Sequence, residues 1–360
     1  MKTLRFLPLL AVPALLALAK PAAELTFAPA ADTSITMEFS NNVEFFLDDL
    51  SVSMMGNDMT GMIGDVDASV NIELESEFTD TYGRVSDRRP TTFERTYGAA
   101  NIGGEATGSG GGESDSQSFS IDSALEDSTV RFTWNEEDEE YTRAYVDDEE
   151  ADAALLEGLL PRLDLAFMLP EGDVAVGDDW QVDPIELASL LIPGGDLAYD
   201  VEGRDEADFS DFEGAMGNEE AYEAITKLME GEVTATFKGM REGDESHLAE
   251  IQIAMDISGE EDFADMVADA IRAGIEASGE EIPMDQMPDF NSFALGVAFE
   301  GEGTLMWDVK SGHVASFTMS SEIEVMLAVS VSFDMEGMAG DAEGEVVLGG
   351  AAEISMEASY

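Results

Sequence analysis

The chain has 360 residues, of which 79 are acidic and 16 basic, giving a formal net charge of −63. Such a charge repels polyanions, which excludes nucleic acid and anionic membrane surfaces as partners, while an apolar fraction of 44% is sufficient for a folded core. The absence of cysteine excludes disulfides, thiolate metal sites, cysteine nucleophiles and a lipid-modified cysteine.

The N-terminal segment has the pattern of a secretory signal peptide. Two basic residues precede an apolar run over 6–18, and small residues at 17 and 19 provide a cleavage pattern. The run is shorter than the ~20 residues that span a bilayer. We therefore expect cleavage after Ala19, with residues 1–19 removed, and a periplasmic or extracellular protein without a lipid anchor.

Alternating apolar and polar residues predict antiparallel strands along most of the chain. The clearest examples are Ser34–Phe39, Asp67–Phe78 and Glu322–Asp334. Such strands bury one face and leave the other in water. The predicted fold class is mainly β (α+β), with curved antiparallel sheets, two half-barrel-like units and a few packed helices.

Helical spacing of apolar residues appears in only a few segments. The predicted helices are Glu149–Leu160, Asp183–Leu191, Asn218–Glu230 and Ser258–Ala277. In the last of these, Ser258 and Glu261 fit a capping box. Gly103–Ser116 is rich in small and polar residues and is expected to be a flexible surface segment.

The strands divide into two sets with helices and loops between them. The expected units are a first β-rich unit over 20–160, a connecting region over 161–229, and a second β-rich unit over 230–360 that contains the amphipathic helix 258–277. Two expected hairpins, with Trp134 and Trp307 just before their turns, suggest a duplicated unit.

Four short motifs carry a resemblance to known proteins. They are Phe27-Ala28-Pro29, Arg88-Arg89-Pro90, Val176-Gly177-Asp178-Asp179-Trp180 and Trp307-Asp308…Ser311-Gly312. Together they resemble an uncharacterised family of exported bacterial β-rich proteins with a VGDxW motif. The architecture is also similar to the half-barrels of periplasmic lipoprotein carriers, which implies a sheet that wraps around a helix and can hold an acyl chain.

No catalytic motif is present in the sequence. His247 and His313 stand apart from each other, and no G-x-S-x-G, HExxH or P-loop pattern occurs. The sequence therefore predicts no enzyme, no catalytic residue, no cofactor and no metal ligand. The acidic runs are interpreted as solvated surface adapted to a salty medium, with specific calcium binding as the alternative.

The chain contains 20 methionines, whose flexible thioethers suit adaptable binding surfaces. The residues predicted to border an apolar ligand are Met54, Met55, Met59, Met62, Phe263, Met266 and Ile271. The alternative interpretation of these methionines is ordinary core filling.

Three functions remain open at this point. The first is an exported binding protein that holds an apolar or lipid ligand between a curved sheet and a helix. The second is a structural or interaction protein of the cell envelope. The third is an outer-membrane β-barrel, which the alternating strand before Tyr360 favours and the predicted helices disfavour.

Overall fold

The computed structural model describes residues 22–64, 66–110, 113–146, 151–199, 227–243, 247–264, 266–268, 289–335 and 338–360. The chain is 67% strand and 8% helix, which confirms the mainly β prediction. The expected signal peptide and most of the predicted helix Asn218–Glu230 lie outside the described residues.

The described residues form fifteen strands. The first nine are β1 (Thr33–Met54), β2 (Asn57–Asp58), β3 (Val66–Tyr82), β4 (Val85–Ser86), β5 (Arg89–Pro90), β6 (Thr92–Gly110), β7 (Glu113–Asp122), β8 (Thr129–Asn135) and β9 (Glu140–Tyr145). The others are β10 (Asp179–Val182), β11 (Gly231–Met240), β12 (Leu248–Asp262), β13 (Asp289–Asp308), β14 (His313–Met335) and β15 (Met338–Ser359).

Thirteen of these strands form one antiparallel sheet, and β4 and β5 form a separate pair. The order along the main sheet is β10-β11-β12-β13-β14-β15-β1-β3-β6-β8-β9, with β2 beside β1 and β7 beside β6. The first and last long strands pair, with Met37 opposite Ala358 and Met54 opposite Ala342. The two predicted strand sets are therefore joined within a single sheet.

The core lies at one end of the sheet, which we call the proximal end; the far end, where Met54 and Phe333 lie, is the distal end. At the proximal end the sheet buries aromatic and aliphatic residues such as Phe78, Phe237 and Phe317. The segment 151–199 covers this part of the sheet and contributes its own leucines to the same cluster.

Short helices occur within and beside this covering segment. They are α1 (Thr60–Ile63), α2 (Pro184–Ala188) and two 3₁₀ turns, Ala153–Leu156 and Ala166–Met168. The Asp183 side chain accepts a hydrogen bond from the backbone N–H of Ile185, which confirms the predicted cap and proline start of α2. Where a helix over Glu149–Leu160 was predicted, the structure has the 3₁₀ turn Ala153–Leu156.

The predicted helix Ser258–Ala277 is wrong in its first part. Residues 258–262 belong to β12 and pair with 294–298 of β13, while helical residues occur at 264 and 266–268. The backbone groups of 258–262 are satisfied by the sheet, so the helix cannot begin at Ser258. Asp262 takes the capping position, with Oδ1 accepting from Ala264 N at 2.9 Å. Residues 269–277 lie outside the described part of the chain.

The expected flexible segment Gly103–Ser116 is also wrong. Its residues 103–110 and 113–116 belong to β6 and β7, which pair antiparallel with Thr107 opposite Ser116. The many small residues were interpreted as loop, but here they extend two strands whose backbones hydrogen-bond to each other. Both predicted tryptophan hairpins are confirmed: Trp134 pairs with Tyr141, and Trp307 pairs with Val314.

Candidate functional site

The core-side face of the sheet remains apolar in its distal half, beyond the described residues that cover it proximally. Its half-buried side chains are Val43, Phe45, Leu47, Leu50 and Val52 of β1, Val70 and Ile72 of β3, Ile102 of β6, Phe293, Leu295, Val297 and Phe299 of β13, Val325, Leu327, Val329, Val331 and Phe333 of β14, and Val346 and Leu348 of β15. We call this set the distal apolar face. Contiguous apolar surface of this kind marks an interaction or ligand-binding site.

The opposite face of the same strands is acidic and small-residue rich. Between the apolar positions of β14 lie Glu324 and Ser330, and β15 presents Glu343 and Glu345. Nearer the proximal end this acidic face encloses a cavity of about 970 Å³. Its carboxylates are Glu232, Asp256, Glu300, Glu302, Glu322 and Glu353. One face of the sheet is therefore apolar, and the other is polar and negatively charged.

The distal apolar face has an open position at Gly344. This glycine lies on β15 between Val329 of β14 and Val52 of β1. A β-carbon on Gly344 would meet no atom closer than 3.9 Å, whereas one on Gly350 would lie 2.9 Å from the Phe45 ring. The space above Gly344 is thus open and has apolar walls on both sides.

Two of the predicted methionines reach the distal apolar face. Met54 ends β1, two residues beyond Val52 and on the same side of the strand. Met55 packs over Gly340, where its Cγ lies 2.8 Å from the position of a β-carbon, and the Phe333 ring lies 3.3 Å from that position. These two of the methionines predicted to border a ligand therefore lie at the distal end of the apolar face.

The other predicted residues lie around the same end. Met59 is half-buried before α1, and Met62 within α1 has 78% of its side chain exposed. Phe263 and Met266 are half-buried at the distal end of β12, and Ile271 lies outside the described residues. Three strands, β13, β14 and β15, separate β12 from β1, a span of roughly 19 Å. The two groups therefore border the face from different sides and do not form one cluster.

The proximal end contains a buried chain of polar groups. Arg95 binds Asp80, and the Tyr82 hydroxyl lies 3.4 Å from an Asp80 oxygen and 3.0 Å from His313 Nε2. His313 Nδ1 lies 3.1 Å from the carbonyl oxygen of Val314, which fixes this nitrogen as the donor in the neutral ring. In this tautomer Nε2 is an acceptor, and the Tyr82 O–H, which is also oriented toward Asp80 at 3.4 Å, makes its shorter hydrogen bond to Nε2.

Burial controls the ionisation of His313 and Tyr82 in this group of buried polar residues. Burial lowers the pKa of His313, against the opposing charges of Asp164 and Asp80. Burial, reinforced by the same two carboxylates, raises the pKa of Tyr82 well above its usual value. Both groups are therefore neutral near pH 7, and the arrangement stabilises the fold as a hydrogen-bonded core element.

Two of the four sequence motifs meet around the buried His313. Phe27 packs against His313 with ring centres 5.7 Å apart, and Trp307 stacks on the same imidazole at 6.2 Å. The backbone N–H of Ala28 donates to the carbonyl of Gly312 at 2.9 Å. These motif residues hold the N-terminal segment against the β13–β14 hairpin.

The VGDxW motif forms the turn that leads into β10. Gly177 has a φ of 91°, in the region that favours glycine, and its N–H donates to the carbonyl of Phe237 at 2.8 Å. Trp180 Nε1 donates to the carbonyl of Met168 at 2.9 Å. The motif thus docks the covering segment onto the edge of the sheet, which is a structural role.

Within the described ranges, no three His, Asp or Glu side chains are grouped closely enough to hold a metal ion. In the Asn135–Glu140 turn, Asn135 Oδ1 accepts from the backbone N–H of Glu137 at 3.0 Å, and its amide nitrogen contacts Asp138. This acidic run uses its own polar groups to close a hairpin. No described helix has the length and apolar character needed to cross a bilayer.

No known protein family matches the sequence, and no curated protein matches it. Among solved structures, an outer-membrane channel of Pseudomonas putida is 9% identical, with 91% of this chain and 97% of that chain covered and a TM-score of 0.20. OccK7 of Pseudomonas aeruginosa is 7% identical, with 91% and 99% covered and a TM-score of 0.15. Likenesses of this size do not define a shared fold.

Proposed function

We propose that this chain is an exported binding protein that holds an apolar molecule with an acyl chain against the distal apolar face. The observation that carries the proposal is the continuation of the core-side face past its covering segment. On β14 the stretch from Ile323 to Phe333 keeps its apolar alternation over eleven residues, a length of ~33 Å. Proteins rarely leave a contiguous apolar face of this extent partly open to water without a use for it.

The charge of the molecule favours an uncharged apolar occupant over a second copy of the chain. Two copies would each bring a net charge of −63 to the contact, together with the acidic faces behind it. A chain of methylenes brings no charge, and burying each one contributes ~0.8 kcal/mol. The same physics disfavours an anionic bilayer surface as the occupant.

The shape of the face also fits a narrow, extended ligand. The open space above Gly344 lies between Val329 and Val52, so that a chain placed there contacts apolar side chains on both sides. The exposed methionines at the distal end of this face are Met54 and Met55. Their unbranched side chains adapt to ligands of different length.

The envelope interaction protein is the second candidate, because the same apolar face would serve a protein partner. The two candidates differ in what the purified protein carries. Native mass spectrometry, with the protein kept in high salt until rapid exchange into volatile buffer, measures this directly. We expect a bound mass that is released on denaturation and extracts into organic solvent.

A ligand-free monomer mass that also fails to bind an uncharged apolar probe, such as N-phenylnaphthylamine, would contradict the binding-protein proposal. A stable complex with an envelope protein that blocks this probe would favour the second candidate instead.

A further inference from the structure

An arginine-rich cavity at the proximal end has no part in the function proposed above. It has a volume of about 740 Å³ and lies between the β4–β5 pair, the β8–β9 hairpin and the covering segment. Four of the chain's 16 basic residues line it: Arg88, Arg89, Arg143 and Arg162. In a chain with 79 acidic residues, this concentration of guanidinium groups needs an explanation.

Three of these arginines have direct partners that carry no charge. Arg88 donates to the carbonyls of Pro170 and Leu25 at 2.9 and 3.1 Å. Arg143 donates twice to one backbone carbonyl, that of Leu159, at 2.8 and 3.1 Å. Carbonyl groups orient a guanidinium without neutralising it.

Arg89 lies flat over an aromatic wall of the cavity. Its guanidinium carbon is 3.7 Å from the centre of the Trp134 ring. Within the described part of the chain, no ion pair joins Arg88, Arg89 or Arg143 to a carboxylate, although acids outnumber bases almost fivefold. Arg162 approaches Glu186 only at 3.8 Å.

The remaining lining is aromatic and acidic. Trp134 and Tyr141 stand edge to face, with ring centres 5.2 Å apart. The lining carboxylates are Asp87, Glu139, Glu140 and Asp164. Asp164 is buried and accepts from the backbone N–H of Ala166, while the other three are exposed. The formal charges of the lining cancel, so this cavity is locally neutral in a molecule of −63.

We propose that this cavity binds a small planar aromatic molecule that bears a carboxylate. A guanidinium presents paired donors that match a carboxylate, and it stacks on planar rings. Arg89 already stacks one face of its guanidinium on Trp134, so its N–H edge and its other face are left to make both contacts. The cavity volume falls in the range of small-molecule sites. The cavity lies at the opposite end of the sheet from the distal apolar face, so the two sites are independent.

The test is calorimetric titration of the full chain with naphthoate, using naphthalenemethanol and naphthylmethylamine as neutral and cationic ligands of the same ring. We expect naphthoate to bind at least tenfold more tightly than either. Arg89→Gln removes the stacked guanidinium, and Arg162→Gln removes a lining charge whose side chain is 46% exposed. Both variants are expected to weaken naphthoate binding by tenfold or more.

Arg131→Gln is the matched control, because Arg131 pairs with Glu94 on the exposed surface and does not line the cavity. It changes the net charge by the same amount and is expected to leave naphthoate affinity unchanged. Equal affinity for the three ligands, an equal loss in the control, or unchanged affinity in folded Arg89→Gln and Arg162→Gln would each overturn the proposal.

Discussion

The guanidinium of Arg95 and the carboxylate of Asp80 form a two-point ion pair in the core, with N–O distances of 2.7 and 2.8 Å and both residues almost fully buried. The same guanidinium donates to the carbonyls of Leu160 and Pro161, which ties β3 and β6 to the covering segment. Burial alone would lower the pKa of Arg95, but the Asp80 carboxylate raises it, and the net shift is upward.

Removing one member of this pair leaves a buried charge without its counterion. We expect Asp80→Asn to lower the free energy of unfolding by about 3–5 kcal/mol. The matched control is Glu94→Gln, which breaks the exposed pair with Arg131 on the neighbouring strands. That change is expected to cost no more than about 1 kcal/mol. Similar losses from both substitutions, measured by urea unfolding, would show that the buried pair has no special role.

The buried His313 makes stability depend on pH. Its folded pKa lies below the unfolded value of about 6.5, so the unfolded chain takes up a proton that the folded chain does not. Stability from this group is complete above about pH 6.5 and falls as the pH drops toward the lowered folded pKa, by up to about 1.4 kcal/mol per unit.

His313→Gln removes this proton uptake and serves as the reference. Between about pH 7.5 and pH 5.5, the native protein is expected to lose more unfolding free energy than the variant. The measurement is urea unfolding at constant salt. Parallel pH profiles for the two proteins would mean that the imidazole titrates normally in the fold.

The net charge of −63 predicts a strong salt dependence of stability. Salt shortens the range of repulsion between carboxylates from ~10 Å at 0.1 M to ~3 Å at 1 M. We expect the urea midpoint to rise with potassium chloride over this range, because the acidic face repels itself less. Sucrose at matched osmolality does not screen charge and should have a smaller effect. An equal rise of the urea midpoint in sucrose, or no rise of it in salt, would contradict the predicted adaptation to a salty medium.

Asp262 marks the transition from β12 to the helical residues that follow. Its Oδ1 accepts from the N–H groups of Ala264 and Phe293, each at 2.9 Å. Asp262→Ala is therefore expected to cost about 1–2 kcal/mol of unfolding free energy. Ser258→Ala, which removes the cap expected from sequence, should be close to neutral. A larger loss of unfolding free energy in Ser258→Ala than in Asp262→Ala would instead support a helix that begins at Ser258.

Local patterns predicted the elements that depend on neighbouring residues. The period-two alternation of Glu322–Asp334 anticipated β14, and the Asp183-Pro184 pair anticipated the start of α2. Both signals are read within a few residues, since strand faces and helix caps are set by local spacing.

The errors and omissions concern contacts between distant residues. The apolar stripe after Ser258 fits a helix as well as a strand, and only pairing with β13 decides between them. The pairing of β1 with β15 joins the two ends of the chain and leaves no mark in either sequence. No local sequence pattern marks the arginine cavity, because its arginines are spread from Arg88 to Arg162 and meet only in the fold.

The most direct test of the proposed binding function compares the two faces of β14. Val329→Thr/Val331→Thr places hydroxyls on the distal apolar face without changing side-chain size or strand propensity. Ala328→Thr/Ser330→Thr places the same two threonines at the intervening positions, on the opposite face of the strand. The measurement is fluorescence titration with N-phenylnaphthylamine, with urea unfolding to confirm that both variants fold.

We expect the Val329/Val331 variant to lose at least about tenfold in probe affinity, because two apolar contacts are replaced by polar ones. The Ala328/Ser330 variant should bind as the native protein does. Native-like binding by a folded Val329/Val331 variant, or an equal loss in both variants, would contradict a ligand site on the distal apolar face.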